Sequence, residues 1–474
     1  MQAGVCHVSP YSGSWYPEDP SDLSQLVDTL FEKSEQRTGP YLAPNPAGFV
    51  VPHAGLIYSG TVAAAAYRHM RAARTERVVM LGFSHRGSAP GPWIPDVDAY
   101  RTPLGEVAVD REAARELLDG GAFHALPEAE LCDHSVEIQL PLMQRAIPGA
   151  SVLPVYAGHL DTAARSAAAR QLAKVLGPGT VLAASSDLTH FGRAFGYQPF
   201  AADNRASQRL HDLDESVIEA AGSLSPDLFF AALERTRSTV CGYNPIALLL
   251  ETMRSLEGDE IFQETLDYQT SGELTGDYRH SVSYGALGYF PARSFHLAPQ
   301  EQALLLGSAR QTLRHYLETG ERKPIPPKRI APGLERKAGA FVTLTSRGDL
   351  RGCVGRRAAE DPLWRLAPAL TLAAALEDSR FRPVKPGEAG LEVEISVLSP
   401  LKWMADTSGF RVNEHGALLE AGLSRGLLLP QVATERNWTA RQFLDALARK
   451  TGVSEKVYGE ASTRLFVFRA QILD

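Results

Sequence analysis

Apolar positions in the first 290 residues fall into short, nearly unbroken runs separated by helically spaced stretches. Phe49 to Val51, Val78 to Phe83, Val152 to Ala157 and Val181 to Ala184 are too short for helices and are dominated by apolar residues, the texture of strands covered on both faces. Between them, Leu23, Leu26, Val27 and Leu30 recur at helical spacing in a helix predicted over Asp22 to Glu35. Thr61 to Arg74, Asp110 to Leu118, Asp133 to Ala146 and Thr162 to Leu176 read as further helices, and residues 88 to 100 as a Pro/Gly-rich loop. Strand alternating with helix predicts an α/β domain on a parallel sheet. Helices over Asn204 to Ala221, Pro226 to Arg235 and Pro245 to Leu256 follow, and Tyr268 to Phe290 is expected to return an edge strand to the sheet.

The texture changes at about Pro291 to Pro299. A helix over Gln300 to Leu317 leads through a Lys/Pro/Arg-rich loop to strand Ala340 to Thr345 and to LRGCVG, Leu350 to Gly355, whose glycines read as a tight turn. Helix Leu363 to Glu377, strand Leu391 to Leu398, a glycine-rich hairpin over Ala417 to Pro430 and helix Ala440 to Thr451 complete a smaller α+β domain. The chain of 474 residues exceeds what one core supports, and domains 1–292 and 293–474 are expected.

Charge follows the same division. After Arg293 there are 26 Lys and Arg against 20 Asp and Glu, and before that point 22 against 35, so the front part is net −13 and the rear +6. An acidic front argues against nucleic acid as the main partner. No apolar run reaches the length of a membrane span and no secretory signal opens the chain, so the cytoplasm is the expected location. Cys6, Cys132, Cys241 and Cys353 are too far apart for any CxxC pair or iron-sulfur spacing.

The candidate chemistry lies at the ends of the predicted strands. His53 follows the first, His85 the second, and Asp187 and His190 the fourth, while Cys241 stands in a glycine-bearing turn before a helix. A histidine alone at a strand tip is ordinarily a hydrogen-bonded loop residue. Several at equivalent tips of a parallel sheet converge outside its carboxyl edge. Neutral imidazoles with a thiolate or carboxylate beside them suit a transition metal. His134 and Glu137, three apart on one helix face, are expected to support the ligands from behind. His159 reads as structural, and the run Asp212, Asp214, Glu215 as a solvated helix face. In LRGCVG, Arg351 beside Cys353 favours the thiolate, which marks Cys353 as a candidate nucleophile.

VPHAGLIYSG, LGFSHRG, CDHSVEIQLPL, ASSDLTHFG, TVCGYNPI and TSGELTGDYRHSVSYGALGY together resemble the Memo family over residues 7 to 290. LRGCVG, FRPV, LEVEISVLSP and GLLLPQVA resemble an AMMECR-type domain over roughly 300 to 470. The resemblance implies a fold like that of class III non-haem, extradiol-type dioxygenases. It also implies a mononuclear metal at His53, His85 and Cys241, with Asp187 and His190 lining the pocket. The implied metal is Fe(II), with copper or zinc as alternatives, and Cys241 stands where those dioxygenases carry a carboxylate.

Such domains occur with a radical-SAM protein in the set called AmmeMemoRadiSam, so a radical-SAM protein and an unknown small molecule are the implied partners. The leading expectation is metal-dependent redox or oxygen handling with Asp187 or His190 moving protons. Two alternatives use the same cleft. One is an adaptor that binds an anionic or phosphorylated partner segment, and the other a zinc-dependent hydrolase with Asp187 as base.

Overall fold

The computed structural model describes residues 5–87, 90–126, 132–256, 260–358, 360–404, 406–460 and 462–474. The chain forms two compact units, Met1–Ser294 and Phe295–Asp474. In the first, strands β1 (Gly48–Val51), β2 (Arg77–Gly82), β3 (Ser151–Ala157) and β4 (Thr180–Ser185) run parallel, side by side in the order β1, β4, β2, β3. All of β1 is buried, and the other three are buried past their first residue, as unbroken apolar runs in a doubly covered sheet require. Their carboxyl ends lie at one edge, so the residues that follow Val51, Gly82 and Ser185 are brought together.

Strand β5 (His280–Pro291) pairs antiparallel with β1 and, farther along, with His190–Gly192, and on its other side with Ile261–Thr270. The segment expected at the edge is therefore interior. Ser281, Ser283 and Ala286 are among its buried positions, small enough for it to be covered on both faces. Residues 88 to 100, expected as loop, carry strand Pro92–Pro95 and the start of strand Ala99–Thr102, while residues 88–89 lie outside the described residues. The two prolines occupy the ends of the first of these strands, where a missing N–H is tolerated.

Helix α1 (Leu56–Ala72) starts five residues before the alanine-rich stretch, directly after an extended Gly55. The stretch Asp133 to Ala146 is two helices rather than one, α2 (His134–Glu137) and Leu140–Ala146. Pro141 has no N–H to donate to the Glu137 carbonyl, which ends the first turn. Helix α3 (Tyr243–Ser255) buries Ile246, Leu249 and Leu250 in the same core as Leu182 and Ala184 of β4.

Among its described residues the second unit holds two four-stranded antiparallel sheets. In one, β6 (Ala340–Ser346) lies between β7 (Asp349–Arg356) and β8 (Leu391–Leu398), with Ala470–Leu473 outside β8. Val342, Leu344, Val393 and Ile395 pack with Leu366 and Leu370 of helix α4 (Leu363–Leu376). The LRGCVG segment is strand, not turn, because it hydrogen-bonds along β6. The other sheet, Lys402–Met404, Thr463–Phe468, Gly416–Ala421 and Ser424–Leu428, packs against helix α5 (Ala440–Thr451). Among the described residues no helix is long and apolar enough to cross a membrane.

Candidate metal centre

His53 follows β1 by two residues, and the end of the adjacent strand β4 fixes it. Its backbone N–H donates to Asp187 Oδ1 at 2.8 Å, and its ring Nδ1 lies 3.1 Å from Ser185 Oγ. That contact leaves Nε2 facing Cys241 Sγ at 3.2 Å. Cys241 arrives through the turn into α3, where the Gly242 N–H donates to Ser186 Oγ at 2.9 Å and the Asp187 N–H donates to Sγ at 3.3 Å. A Cβ on Gly242 would stand 2.5 Å from Ser186 Cβ and 2.6 Å from the Ser185 carbonyl, so only glycine allows this approach.

On the other side, His85 follows β2 and is held by Asp133. The carboxylate lies 2.9 Å from His85 Nδ1 and accepts the His85 backbone N–H at 3.0 Å. Asp133 also caps α2 by accepting the Ser135 N–H at 2.9 Å. A carboxylate on Nδ1 fixes the imidazole tautomer and leaves Nε2 as the free lone pair, the arrangement common behind metal-bound histidines. The His134 ring stacks between His85 and Trp15, with centroids 4.1 Å from each, and its Nδ1 is 3.3 Å from Asp133 Oδ1.

Two donor groups result. Ligand atoms of His53, His85 and His134 lie within 4.8 Å of one another, as do those of His53, Asp187 and Cys241, and His53 belongs to both groups. Burial, with the His85 charge second, pushes the His53 pKa down to about 3. Burial likewise takes His134 down to about 3. Both rings are therefore neutral at pH 7 and offer lone pairs. Burial pushes the Cys241 thiol well up, and the Asp187 carboxylate adds to the effect. Asp187 is raised by its own burial, against the opposing charge of His190. Burial would also raise Asp133, but the hydrogen bond from His85 and the charge of His134 hold it down to about 2. Imidazoles, a thiol and a carboxylate make a donor set that suits a borderline-to-soft transition metal, which must displace the thiol proton to bind. A cavity of about 190 Å³ opens on Cys241, lined by Phe83, Trp93, Tyr156, His159, Tyr243 and Asn244 among others.

Of the residues expected at the site, the fold brings His53, His85, Asp187 and Cys241 together. His134, expected behind the ligands, is among the donors. Glu137 is elsewhere: fully buried, with Oε1 3.1 Å from His7 Nε2, because α2 has only one turn and its two ends face different neighbours. His190 stands outside both donor groups, with Nδ1 3.2 Å from the carbonyls of Leu188 and Thr239, and reaches the site through its charge on Asp187.

His159 is exposed on the cavity wall rather than structural. Asp214 is buried, not solvated: it accepts from Thr189 Oγ1 at 2.6 Å and Tyr268 OH at 2.7 Å. Asp133 and Ser185, which orient the two histidines, escaped the sequence reading, although an Asp directly before His134 is a helix-cap signal. Cys353 lies in the second unit, where its Sγ accepts from Thr343 Oγ1 at 3.4 Å. Arg351 is not free to act on it, being bidentate to Glu388 at 2.8 and 3.1 Å.

The sequence model of the family described as Memo-like protein matches residues 9–288, and that of AMMECR1 matches residues 306–473. Protein MEMO1 of Xenopus laevis is 29% identical over 291 residues, covering 60% of this chain and 96% of that protein. The MEMO1 family protein Ta0237 of Thermoplasma acidophilum is 31% identical over 278 residues, covering 58% of this chain and 96% of its own. A solved structure, the uncharacterized protein PH0010 from Pyrococcus horikoshii, is 34% identical and covers 36% of this chain and 90% of that one, with a TM-score of 0.34. The first match spans more than half of the sequence, so the chain belongs to the Memo-like family and carries an AMMECR1 domain behind its Memo domain.

Proposed function

We propose that the first unit binds one transition-metal ion through His53, His85 and Cys241 and uses it for redox or oxygen-handling chemistry on a small molecule. The observation that carries this reading is the 3.2 Å approach of the half-buried Cys241 thiol to a neutral His53 Nε2, with His85, His134 and Asp187 around the same ring. Bound there, Fe(II) or copper would supply one-electron chemistry and a Lewis-acidic centre.

The protein's own groups do the rest. Asp133 aims His85, and Ser185 aims His53. Asp187, raised by burial, holds a proton more readily than an ordinary carboxylic acid, and His190 biases it toward release. Phe83, Trp93, Tyr156 and Tyr243 wall the cavity beside Cys241 and exclude water from a small substrate. Neither unit has the cysteine spacing for an iron-sulfur cluster, so radical generation falls to a separate radical-SAM protein of the AmmeMemoRadiSam set. The −13 and +6 net charges of the two parts favour a transient, salt-screened association with it.

Anaerobic purification followed by elemental analysis and X-ray absorption tests the reading. Iron or copper near one per chain, with a metal–sulfur distance that disappears in Cys241→Ala, is the expected result. Zinc alone would overturn redox chemistry in favour of hydrolysis, and no metal would leave the cleft to partner binding.

A further inference from the structure

The second unit leaves part of a strand edge open. Strand β8 pairs with β6 over residues 391–397, but Ala470–Leu473 covers its other side only over residues 395–398. On that side residues 391–394 have no strand beyond them among the described residues. The ladder fixes where their backbone groups point. The Leu398 N–H donates to the Gly339 carbonyl just before β6, whereas the Ser399 N–H donates to the Arg469 carbonyl just before Ala470–Leu473, both at 2.9 Å. Successive residues of a strand turn these groups to opposite sides, so the N–H and C=O of Leu391 and Val393 face the open side. Backbone groups left on an edge are a template for another strand.

A groove of about 710 Å³ runs along this edge, between residues 391–394 and one face of helix Pro299–Thr319. Arg310, Leu313, Arg314 and Leu317 form that wall at helical spacing. Leu313 packs in the same core as Val393 and Ile395, so the helix lies over the sheet face that those two residues occupy. Glu392 and Glu394 alternate with them and occupy the opposite face. Arg310 and Arg314 are exposed and are ion-paired with no carboxylate among the described residues. On the far face, burial raises the Glu394 carboxyl, and the charges of Glu435 and Asp474 add to the rise against the hydrogen bond from Gln431. The two walls of the groove therefore carry opposite charge.

We propose that this groove receives an extended segment of a partner protein, which adds to β8 as a further strand. Main-chain hydrogen bonds to Leu391 and Val393 hold it, and its alternate side chains read the two walls. Lysine or arginine stands at the positions that meet Glu392 and Glu394, and apolar or acidic side chains between them meet Leu313, Leu317, Arg310 and Arg314. Four open residues span about 13 Å, so a segment of about five residues fills the edge. Pairing β8 antiparallel with β8 of a second copy would set the glutamates of both strands on one face, and like charges side by side count against that occupant. No residue of the metal centre takes part.

Fluorescence anisotropy of the full-length chain with two labelled, end-capped peptides tests it. Leu-Lys-Glu-Lys-Leu has the proposed alternation, and Leu-Glu-Lys-Glu-Leu reverses its charges. The first is expected to bind at least about fivefold more tightly, the size of one unit-charge contact in water. N-methylating its central glutamate and, in a separate peptide, its two lysines should have opposite outcomes, because only one alternate set of N–H groups faces β8. One of the two abolishes binding and the other spares it. Arg310→Gln combined with Arg314→Gln should bring the affinities of the two peptides together. Leu391→Pro removes one edge-facing N–H at the start of a strand, where proline is tolerated, and should weaken the first peptide about fivefold. Equal affinity of the two peptides for the native chain, failure of both to bind, or equal effects of the two methylations would overturn the proposal, whether or not the variants fold. So would sedimentation that shows a dimer which Leu391→Pro dissolves, since the edge would then belong to a second copy.

Discussion

Cys241 and Cys353 stand in similar local sequence, Val240-Cys241-Gly242 and Gly352-Cys353-Val354, and in both the glycine serves close packing. A Cβ on Gly242 would meet the Ser185 carbonyl at 2.6 Å, and one on Gly352 the Ala374 carbonyl of α4 at 2.1 Å. The likeness ends there. Cys241 lies beyond the carboxyl edge of a parallel sheet, so its sulfur meets a histidine 188 residues away in sequence. Cys353 lies within an antiparallel strand, and its neighbours are those that register dictates, Thr343 first. A parallel edge collects imidazoles from several loops around one point. An antiparallel face offers rows of single side chains, and a thiol there is framed by threonine and by charges from flanking loops. Topology, not the local motif, decides which of these two cysteines meets a histidine.

The contrast breaks most readily at the metal. Cys241→Ala or His53→Ala should reduce the metal content of anaerobically loaded protein to background, while Cys353→Ala retains that of the parent. Elemental analysis of the three side by side would sink the distinction if Cys353→Ala lost metal as well. Uptake should also depend on pH. The Cys241 thiol is raised by burial, so it is protonated through the neutral range and each metal bound displaces one proton. Affinity should therefore rise by about tenfold per pH unit, and competition with a chelator of known pH dependence measures it.

Asp133→Asn comes next in size. The amide can still cap α2 but no longer holds a carboxylate against His85 Nδ1, and metal affinity should fall by about 10- to 100-fold with little loss of fold. Gly352→Ala and Gly242→Ala sharpen the comparison further. Each should destabilise its unit by about 1–3 kcal/mol through overpacking, seen in urea titrations. Only the Gly242 variant should also lose metal, because only there does the displaced backbone carry a proposed ligand.

The strand tips were legible because period and composition mark buried parallel strands, and the rule that ligands gather at their carboxyl edge then groups His53, His85 and Asp187 without further information. What lay behind them was not. Whether His134 or Glu137 faces the site depends on where α2 breaks, and Pro141 settles that through a carbonyl four residues back. Asp214 reads as solvent-facing beside Asp212 and Glu215, yet Thr189 and Tyr268 satisfy it from distant elements. In the second unit the glycines of LRGCVG suggested a turn, whereas Gly352 is required by the Ala374 carbonyl, a contact with no trace in local sequence. Long-range polar pairing is the common factor, and hydrophobic periodicity does not encode it.

Cys132 supplies the last and subtlest test, because it too has a histidine beside it but follows none of the four parallel strands. His7 shares hydrogen bonds with Cys132 and Glu137, and its pKa reaches about 11: burial opposes the rise, and the hydrogen bonds and charges of those two groups override it. Glu137 is fully buried, its Oε1 lies 3.1 Å from His7 Nε2, and its Oε2 has no hydrogen-bond partner among the described residues. His7→Ala would strand that carboxylate, at a cost of about 3 kcal/mol. The sign follows from the direction of the shift. A group with a pKa raised on folding stabilises fully below its ordinary value of 6.5, and the contribution is lost as pH climbs toward about 11. The gap between parent and His7→Ala in urea unfolding should thus be widest near about pH 6 and narrower near about pH 10. Metal content should stay at the parent's level throughout. If His7→Ala emptied the metal site while the chain remained folded, a cysteine–histidine pair that follows none of the four parallel strands would be part of the centre, and topology would no longer explain which thiols bind.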